Sequence, residues 1–241
     1  MILSEPEIAG CVAVLTRAGG LAVSAPLVGD PGTPARVRLV FVVGIAFALG
    51  PSRQGLSYAA LPTVVILEAA IGLVTGVTAR FVLSRVAVAG QLLGLHLGLG
   101  FASEYDHRAG ESAGTVRTLV MTLAGLAFLG VGGLEAIVRS VAAGPAHATQ
   151  LALLGPMLLH HGTTAFGAGL ALAAPVVLAA VVGNLGLAVL NRAAPAVNVF
   201  SISLAGVLVL GGMVLRATAP NLIASIVEIA RTATHALLGQ P

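Results

Sequence analysis

Glu68 is the acid whose setting asks for an explanation. It lies inside a long apolar stretch, flanked by Leu67 and Ala69. A charge at the centre of a bilayer costs at least about 2.5–3.5 kcal/mol on insertion scales. Such a carboxylate is expected to face a partner or a water-filled space. A buried ion pair or interfacial hydrogen bond is the expected use, with a proton relay as the alternative. Arg80 and Arg85 follow on the same segment, but at helical spacing neither is adjacent to Glu68. Gln91 and His96 are further polar groups set into apolar sequence. His160 and His161 are neighbours, so on a helix they diverge by about 100° and are poorly placed to share a metal. Neither the His-Glu-x-x-His nor the Cys-x-x-Cys spacing occurs. No catalytic residue, metal site or cofactor is expected, and the chain is not expected to be an enzyme.

Composition narrows the classes further. All twelve basic residues are arginine, which excludes a P-loop lysine and a Schiff-base lysine. The net charge is +3, Trp is absent, and no arginine cluster interleaved with aromatics occurs, so no nucleic-acid partner is expected. Cys11, the single cysteine, sits among apolar residues and reads as a small buried hydrophobe. Only 9% of residues are charged, against about 25% in a soluble domain. A water-facing surface cannot be built from so few charges. No acidic or basic residue occurs between Arg139 and Arg192, or between Arg192 and Arg216. Apolar runs of about 18 or more read as membrane-helix candidates.

These residues must be positioned by helices. The expected class is all-α: a hydrophobic, membrane-associated protein of helical hairpins, with about seven or eight helical segments in a single domain, residues 1–241. The first segment runs from Glu7 to Val23 and ends at the Pro- and Gly-rich stretch Ala25–Pro34. The second runs from Ala35 to Leu49, before Gly50-Pro51. The third begins near Ser57, with Pro62 in its first turn, and continues past Arg80. The fourth covers Val86 to Ala102. A polar loop, Ser103–Ser112, precedes a fifth helix from Thr115 to Ala142. The region Leu151–Leu190 is too long for one span and is expected as a hairpin or bent pair, broken near His160-His161-Gly162 or at Pro175. Two further segments cover Val199–Leu215 and Asn221–Leu238.

The first ten residues carry two glutamates and no basic group, unlike a signal peptide. The chain is expected to insert through its own helices. Arginines occur in nearly every loop, so the positive-inside rule finds no asymmetry. That points to helices that are not simple serial spans. Gly90, Gly94 and Gly98 recur at four-residue spacing, as do Gly72 and Gly76. Such faces allow close backbone approach, within the chain or against partner subunits.

The order of short motifs also carries a resemblance. Near the N-terminus come Leu15-Thr16-Arg17-Ala18-Gly19-Gly20, Ser24-Ala25-Pro26-Leu27-Val28-Gly29 and Pro34-Ala35-Arg36-Val37-Arg38. The middle holds Gly90 to Ser103, followed by Tyr105-Asp106. Near the C-terminus stands Asn191-Arg192-Ala193-Ala194-Pro195-Ala196-Val197-Asn198-Val199-Phe200-Ser201. Over nearly its whole length the chain resembles the flagellar biosynthetic protein FliR family, whose injectisome counterpart is the SctT-type export apparatus protein.

The resemblance implies a core subunit of type III secretion in the bacterial inner membrane, at the flagellar basal body. With FliP-like and FliQ-like partners, and in contact with membrane lipid, it would form a channel for unfolded exported proteins. Arg17, Pro26, Arg36, Arg192, Pro195, Asn198 and Phe200 would be structural motif positions. The loop after Gly-Leu-Gly-Phe-Ala would contribute a plug, with Phe101, Glu104, Tyr105 and Asp106 as its residues. Three departures stand out. Glu104 occupies a position where an aromatic is common, His107 stands where the family has Pro, and Ser203-Leu204-Ala205 stands where a helix-breaking Gly-Phe-Pro is usual. An injectisome subunit is the near alternative. A small-molecule permease subunit is the distant one, and it would call for inverted repeats.

Overall fold

The computed structural model describes residues 4–50, 57–99, 103–106, 111–144, 148–193 and 199–239, with the backbone alone at 103–106, 111–113, 148 and 199–204. Seven α-helices dominate these residues: α1 (Glu5–Ser24), α2 (Ala35–Leu49), α3 (Leu61–His96), α4 (Thr115–Gly130), α5 (Gly133–Ala142), α6 (Ala148–Ala193) and α7 (Val199–Leu237). A short antiparallel hairpin, β1 (Ser103–Asp106) with β2 (Glu111–Gly114), lies between α3 and α4. Its register pairs Ser103 with Gly114 and Asp106 with Glu111. Four helices are long and apolar enough to cross a membrane, or five if α4 and α5 count as one bent span. The class is all-α, and the hairpin is an addition that hydropathy did not announce.

The chain divides into two compact units. Unit 1 comprises residues 1–83, 125–164 and 230–241; unit 2 comprises 84–124 and 165–229. In unit 1, α1 starts at a capping box, where the Glu7 carboxylate accepts from the Ser4 N–H at 2.7 Å. Pro6 sits in the first turn, where its missing N–H has no helical partner to lose. The buried side of α1 is made of small residues, Ala9, Ala13, Ala18 and Ala22, with Val14 and Leu21. Small side chains let neighbouring backbones approach.

The turn after α1 is tightly organised. The Val28 N–H donates to Pro26 O at 2.8 Å across Leu27, whose φ of 66° is a left-handed value that a leucine rarely adopts. Thr33 Oγ1 donates to Leu27 O at 2.7 Å, and Arg80 Nη2 donates to Asp30 Oδ1 at 2.8 Å. Pro26 is buried in this turn.

Unit 2 has its own core, made by Ala89, Leu93 and Leu97 of α3 and the turn after it, with Ala173 and Val176 of α6. Leu172, Val214 and Leu215 pack around it.

Several boundaries differ from the sequence expectation. The third and fourth segments are one helix, α3; Arg80 and Arg85 interrupt the apolar composition but not the backbone. The fifth segment is two helices, bent by 57°. Gly132, with φ of 86°, supplies the left-handed turn between them, and the Gly133 Cα lies so close to the Phe128 ring that a Cβ would overlap it. Leu151–Leu190 is neither a hairpin nor a bent pair but part of one helix of 46 residues. Pro175 removes one backbone donor, and a long helix flanked by good hydrogen bonds tolerates that loss. The Thr163 and Thr164 hydroxyls bond back to Leu159 O and His160 O, so the polar patch near the two histidines continues the helix. The last two segments are likewise joined as α7, with Pro220 inside it and no break at Ser203-Leu204-Ala205.

Candidate functional site

Two fully buried charges face each other in unit 1. Arg17 of α1 is 1% exposed and Glu68 of α3 is 0% exposed. Arg17 Nε donates to Glu68 Oε2 at 2.5 Å. The same guanidinium, through Nη1, donates to Ala143 O at 3.0 Å and to Ser140 O at 3.3 Å. Those carbonyls end α5, where the helix has no amide of its own to offer and where a cation is favoured. One arginine therefore ties α1, α3 and the end of α5. The carboxylate that composition singled out faces a partner within its own chain. Arg80 and Arg85 are not that partner; Arg80 is engaged with Asp30. The signal for Arg17 was available: it is the only base in α1, a lone charge in apolar sequence like Glu68.

The close approach that lets the two groups meet comes from glycines. A Cβ on Gly72 would overlap the carbonyl oxygen of Arg17, and one on Gly76 would overlap Ser24 Oγ. Across the seam, a Cβ on Gly20 would lie 2.8 Å from Ala69 O. Ser24 Oγ donates to Gly20 O at 2.8 Å, satisfying its hydroxyl inside α1. A cavity of about 200 Å³ adjoins this clamp, with Arg17 and Thr75 among its polar walls and Leu153, Leu154 and Met157 among its apolar ones.

In unit 2, Gly90 packs tightly on α4, where a Cβ would meet Arg117 Cα at 2.9 Å. Gly94 faces Val116 at 3.5 Å, an ordinary contact. Gly98 is not on this face: it follows the end of α3 with φ of 74° and serves as a left-handed cap. Gln91 is exposed on α3, and His96 Nδ1 lies 2.9 Å from Leu92 O. Gly169 of α6 makes a seam that no four-residue spacing announced, with Val88 Cβ 2.6 Å from where its own Cβ would be.

The other motif positions are scattered. Arg36 is exposed in the first turn of α2, and Arg192 is exposed in the last turn of α6. Phe200 belongs to α7, while Phe101, Pro195 and Asn198 lie outside the described residues. Glu104, Tyr105 and Asp106 form the backbone of β1, opposite Ala113, Ser112 and Glu111. One catalytic-looking spacing does occur there: Gly110-Glu111-Ser112-Ala113-Gly114 spells Gly-x-Ser-x-Gly. A nucleophile elbow requires the serine on a sharp strand-to-helix turn. Ser112 is instead within β2, and α4 begins only at Thr115. His160 and His161 have ring centroids 5.5 Å apart, edge to face. Among the described residues no group of three or more His, Cys, Asp or Glu is placed to hold a metal.

Fold and site together define a helical membrane protein whose deepest polar groups join its own helices. The chain belongs to the bacterial export proteins, family 1, whose sequence model matches residues 8–233. It is similar to the flagellar biosynthetic protein FliR of Escherichia coli K12, 30% identical over 218 residues, which covers 86% of this chain and 82% of the relative. FliR of Caulobacter vibrioides is 28% identical over 202 residues, 79% of this chain and 80% of the relative. FliR of Aquifex aeolicus is 33% identical over 143 residues, 57% of this chain and 55% of the relative.

Proposed function

We propose that this chain is a subunit of the flagellar export apparatus, acting as one export-apparatus domain in the core gate of type III secretion. It joins FliP-like and FliQ-like subunits in the bacterial inner membrane to form a channel for unfolded flagellar proteins. The observation that carries this reading is the family match over residues 8–233, with relatives bearing the FliR name. A non-enzymatic role agrees with the site: Arg17 and Glu68 are engaged with one another and with helix ends. Gln91, exposed on α3 while Gly90 and Gly94 are buried, is the polar group offered to a partner subunit. Purification in mild detergent should recover the chain in a large complex with FliP- and FliQ-like partners. A lone monomer that moves a small solute would replace this reading with the permease.

The plug is assigned to residues 101–113, with Phe101 and Tyr105 as its apolar elements and Glu104 and Asp106 beside them. Support comes from the backbone: an antiparallel hairpin of β1 and β2 stands between α3 and α4 in the chain. A closed pore excludes ions by an apolar constriction that dewets. Deleting residues 104–112 should raise ion leakage through the assembled complex, read as loss of a membrane potential dye signal. Unchanged leakage removes the plug assignment and leaves the subunit assignment standing.

A further inference from the structure

We propose that Leu97, seated against Gly211, couples the outer parts of α6 and α7 to the turn that leads into the β1–β2 hairpin, with Pro175 and Pro220 as the hinge of those outer parts. All of these residues belong to unit 2. The coupling does not depend on the hairpin being a plug.

The hinge comes first. Gly183 of α6 lies against Leu210 of α7, with Cδ2 of that leucine 3.1 Å from where a Cβ on the glycine would be. Pro175 of α6 shares a cavity of about 160 Å³ with Thr218 and Asn221 of α7. These pairings run in opposite directions along the two helices, so the helices are antiparallel. Continued to Pro220, the register puts it within about 3 Å of the level of Pro175 along the axis. Two neighbouring helices therefore each lose a backbone donor at one level: Pro175 has no amide for Ala171 O, and Pro220 has none for Arg216 O. Sharp bends in helices are found at such positions. Thr218 Oγ1 adds to the effect, donating to Val214 O at 2.9 Å, a bond that bends helices. Ala171 and Ser225 also line the cavity, which leaves space and polar groups beside the weakened ladders.

The seat comes second. A Cβ on Gly211 would lie 2.6 Å from Leu97 Cδ2, so the leucine tip fills the space a side chain would take. Leu97 is 4% exposed. The other glycines of this part of α7, Gly206 and Gly212, have nothing within 4 Å. The contact is thus confined to one position.

The place of Leu97 in the chain gives the seat its consequence. Its N–H donates to Leu93 O at 2.9 Å and closes the last turn of α3. Gly98 follows with φ of 74°, and β1 begins at Ser103. A left-handed residue fixes the direction in which the chain leaves the helix. A swing of α6 and α7 about the prolines withdraws Gly211 from Leu97 and frees the turn that sets that direction. Conversely, a side chain forced into the seat pushes on the turn.

The test uses the full chain in the complex purified with its operon partners, after Cys11→Ser removes the native thiol. Nitroxides on Val189→Cys and Leu119→Cys, both exposed, report the outer part of α6 against α4 by pulsed electron paramagnetic resonance. Leu97→Ala should widen that distance distribution about twofold, because the seat is lost and the hinge is released. Adding Pro175→Ala and Pro220→Ala should return it to the parent width. A separate nitroxide on Ser112→Cys reports the hairpin. Gly211→Leu should make its spectrum more mobile, Gly211→Ala should do so less, and Gly212→Leu should leave it unchanged. An unchanged width in Leu97→Ala overturns the proposal, as does a widened distribution that survives removal of both prolines. Gly212→Leu loosening the hairpin as much as the Gly211 variants also overturns it, because the seat is then not specific. A hairpin that loosens with no rise in ion leakage supports the coupling and removes the plug assignment instead.

Discussion

The α1–α3 seam of unit 1 and two arms of unit 2, the end of α6 (residues 178–192) and the early part of α7 (residues 205–216), are built from the same apolar alphabet, with opposite outcomes. Half of the apolar window of α1 is buried within the chain, against 6% of that of α7. Each has glycines and each has arginine nearby. In the seam, glycine brings backbones together and the arginine is sealed inside with a carboxylate. In the arms, most glycines touch nothing and the arginines stand at the ends. Hydrophobicity by itself therefore says that a helix leaves water; it does not say whether it goes to its own chain or to something outside.

The largest test of that contrast is the buried pair. Glu68→Leu leaves the Arg17 guanidinium desolvated without its carboxylate. Removing one partner of a buried pair costs about 3–5 kcal/mol. The variant should unfold at markedly lower temperature in detergent, followed by loss of helical circular dichroism. The double variant Arg17→Leu with Glu68→Leu should recover much of the loss, since two apolar groups need no ionic partner. A double variant as unstable as the single one would mean that the carbonyls of Ser140 and Ala143 depend on Arg17 more than Glu68 does.

A smaller effect separates the two kinds of glycine. Gly72→Ala forces a methyl into the Arg17 carbonyl, where backbone must shift, and overpacking of this kind costs about 1–3 kcal/mol. Gly186→Ala on the α6 arm meets nothing within 4 Å. There the alanine should be neutral, or stabilising by up to about 1 kcal/mol through its higher helix propensity. Parallel thermal melts of the two variants give the sign of each. Equal destabilisation would erase the distinction between seam and arm.

The smallest expected effect is at the Asp30–Arg80 bridge. Its side chains are 51% and 40% exposed, and pairs of this kind contribute about 0–1 kcal/mol. Arg80→Gln should shift the melting temperature little, and less still at high salt. A large shift would place this bridge in the same class as Arg17–Glu68.

The class of the molecule was legible from composition: nine per cent charge and long uncharged runs demand helices out of water. α2 was legible to the residue, because Pro34 precedes it and Gly50-Pro51 follows it. The boundaries that were not legible lie where polar or proline residues interrupt apolar sequence without interrupting hydrogen bonding. His160, His161 and Pro175 looked like breaks, but the backbone has no cheaper alternative than to remain helical once both flanks are helical. The break that does occur, at Gly132, was hidden in a chain already rich in glycine.

The lone charges mark a similar division. That Glu68 needs a partner follows from its apolar setting and the cost of a bare charge. That the partner is Arg17, 51 residues earlier, is a property of how α1 and α3 lie together, and no local spacing encodes it. Glycine frequency likewise announced close packing in general. Which glycines pack, as Gly20, Gly72, Gly76 and Gly90 do, and which cap a helix, as Gly98 does, was decided by neighbours distant in sequence. Local sequence determined what each segment cannot tolerate, namely water for the apolar runs and solitude for the charges. Only the tertiary structure decided who meets whom, because a contact is made by two surfaces, and the chain writes them far apart.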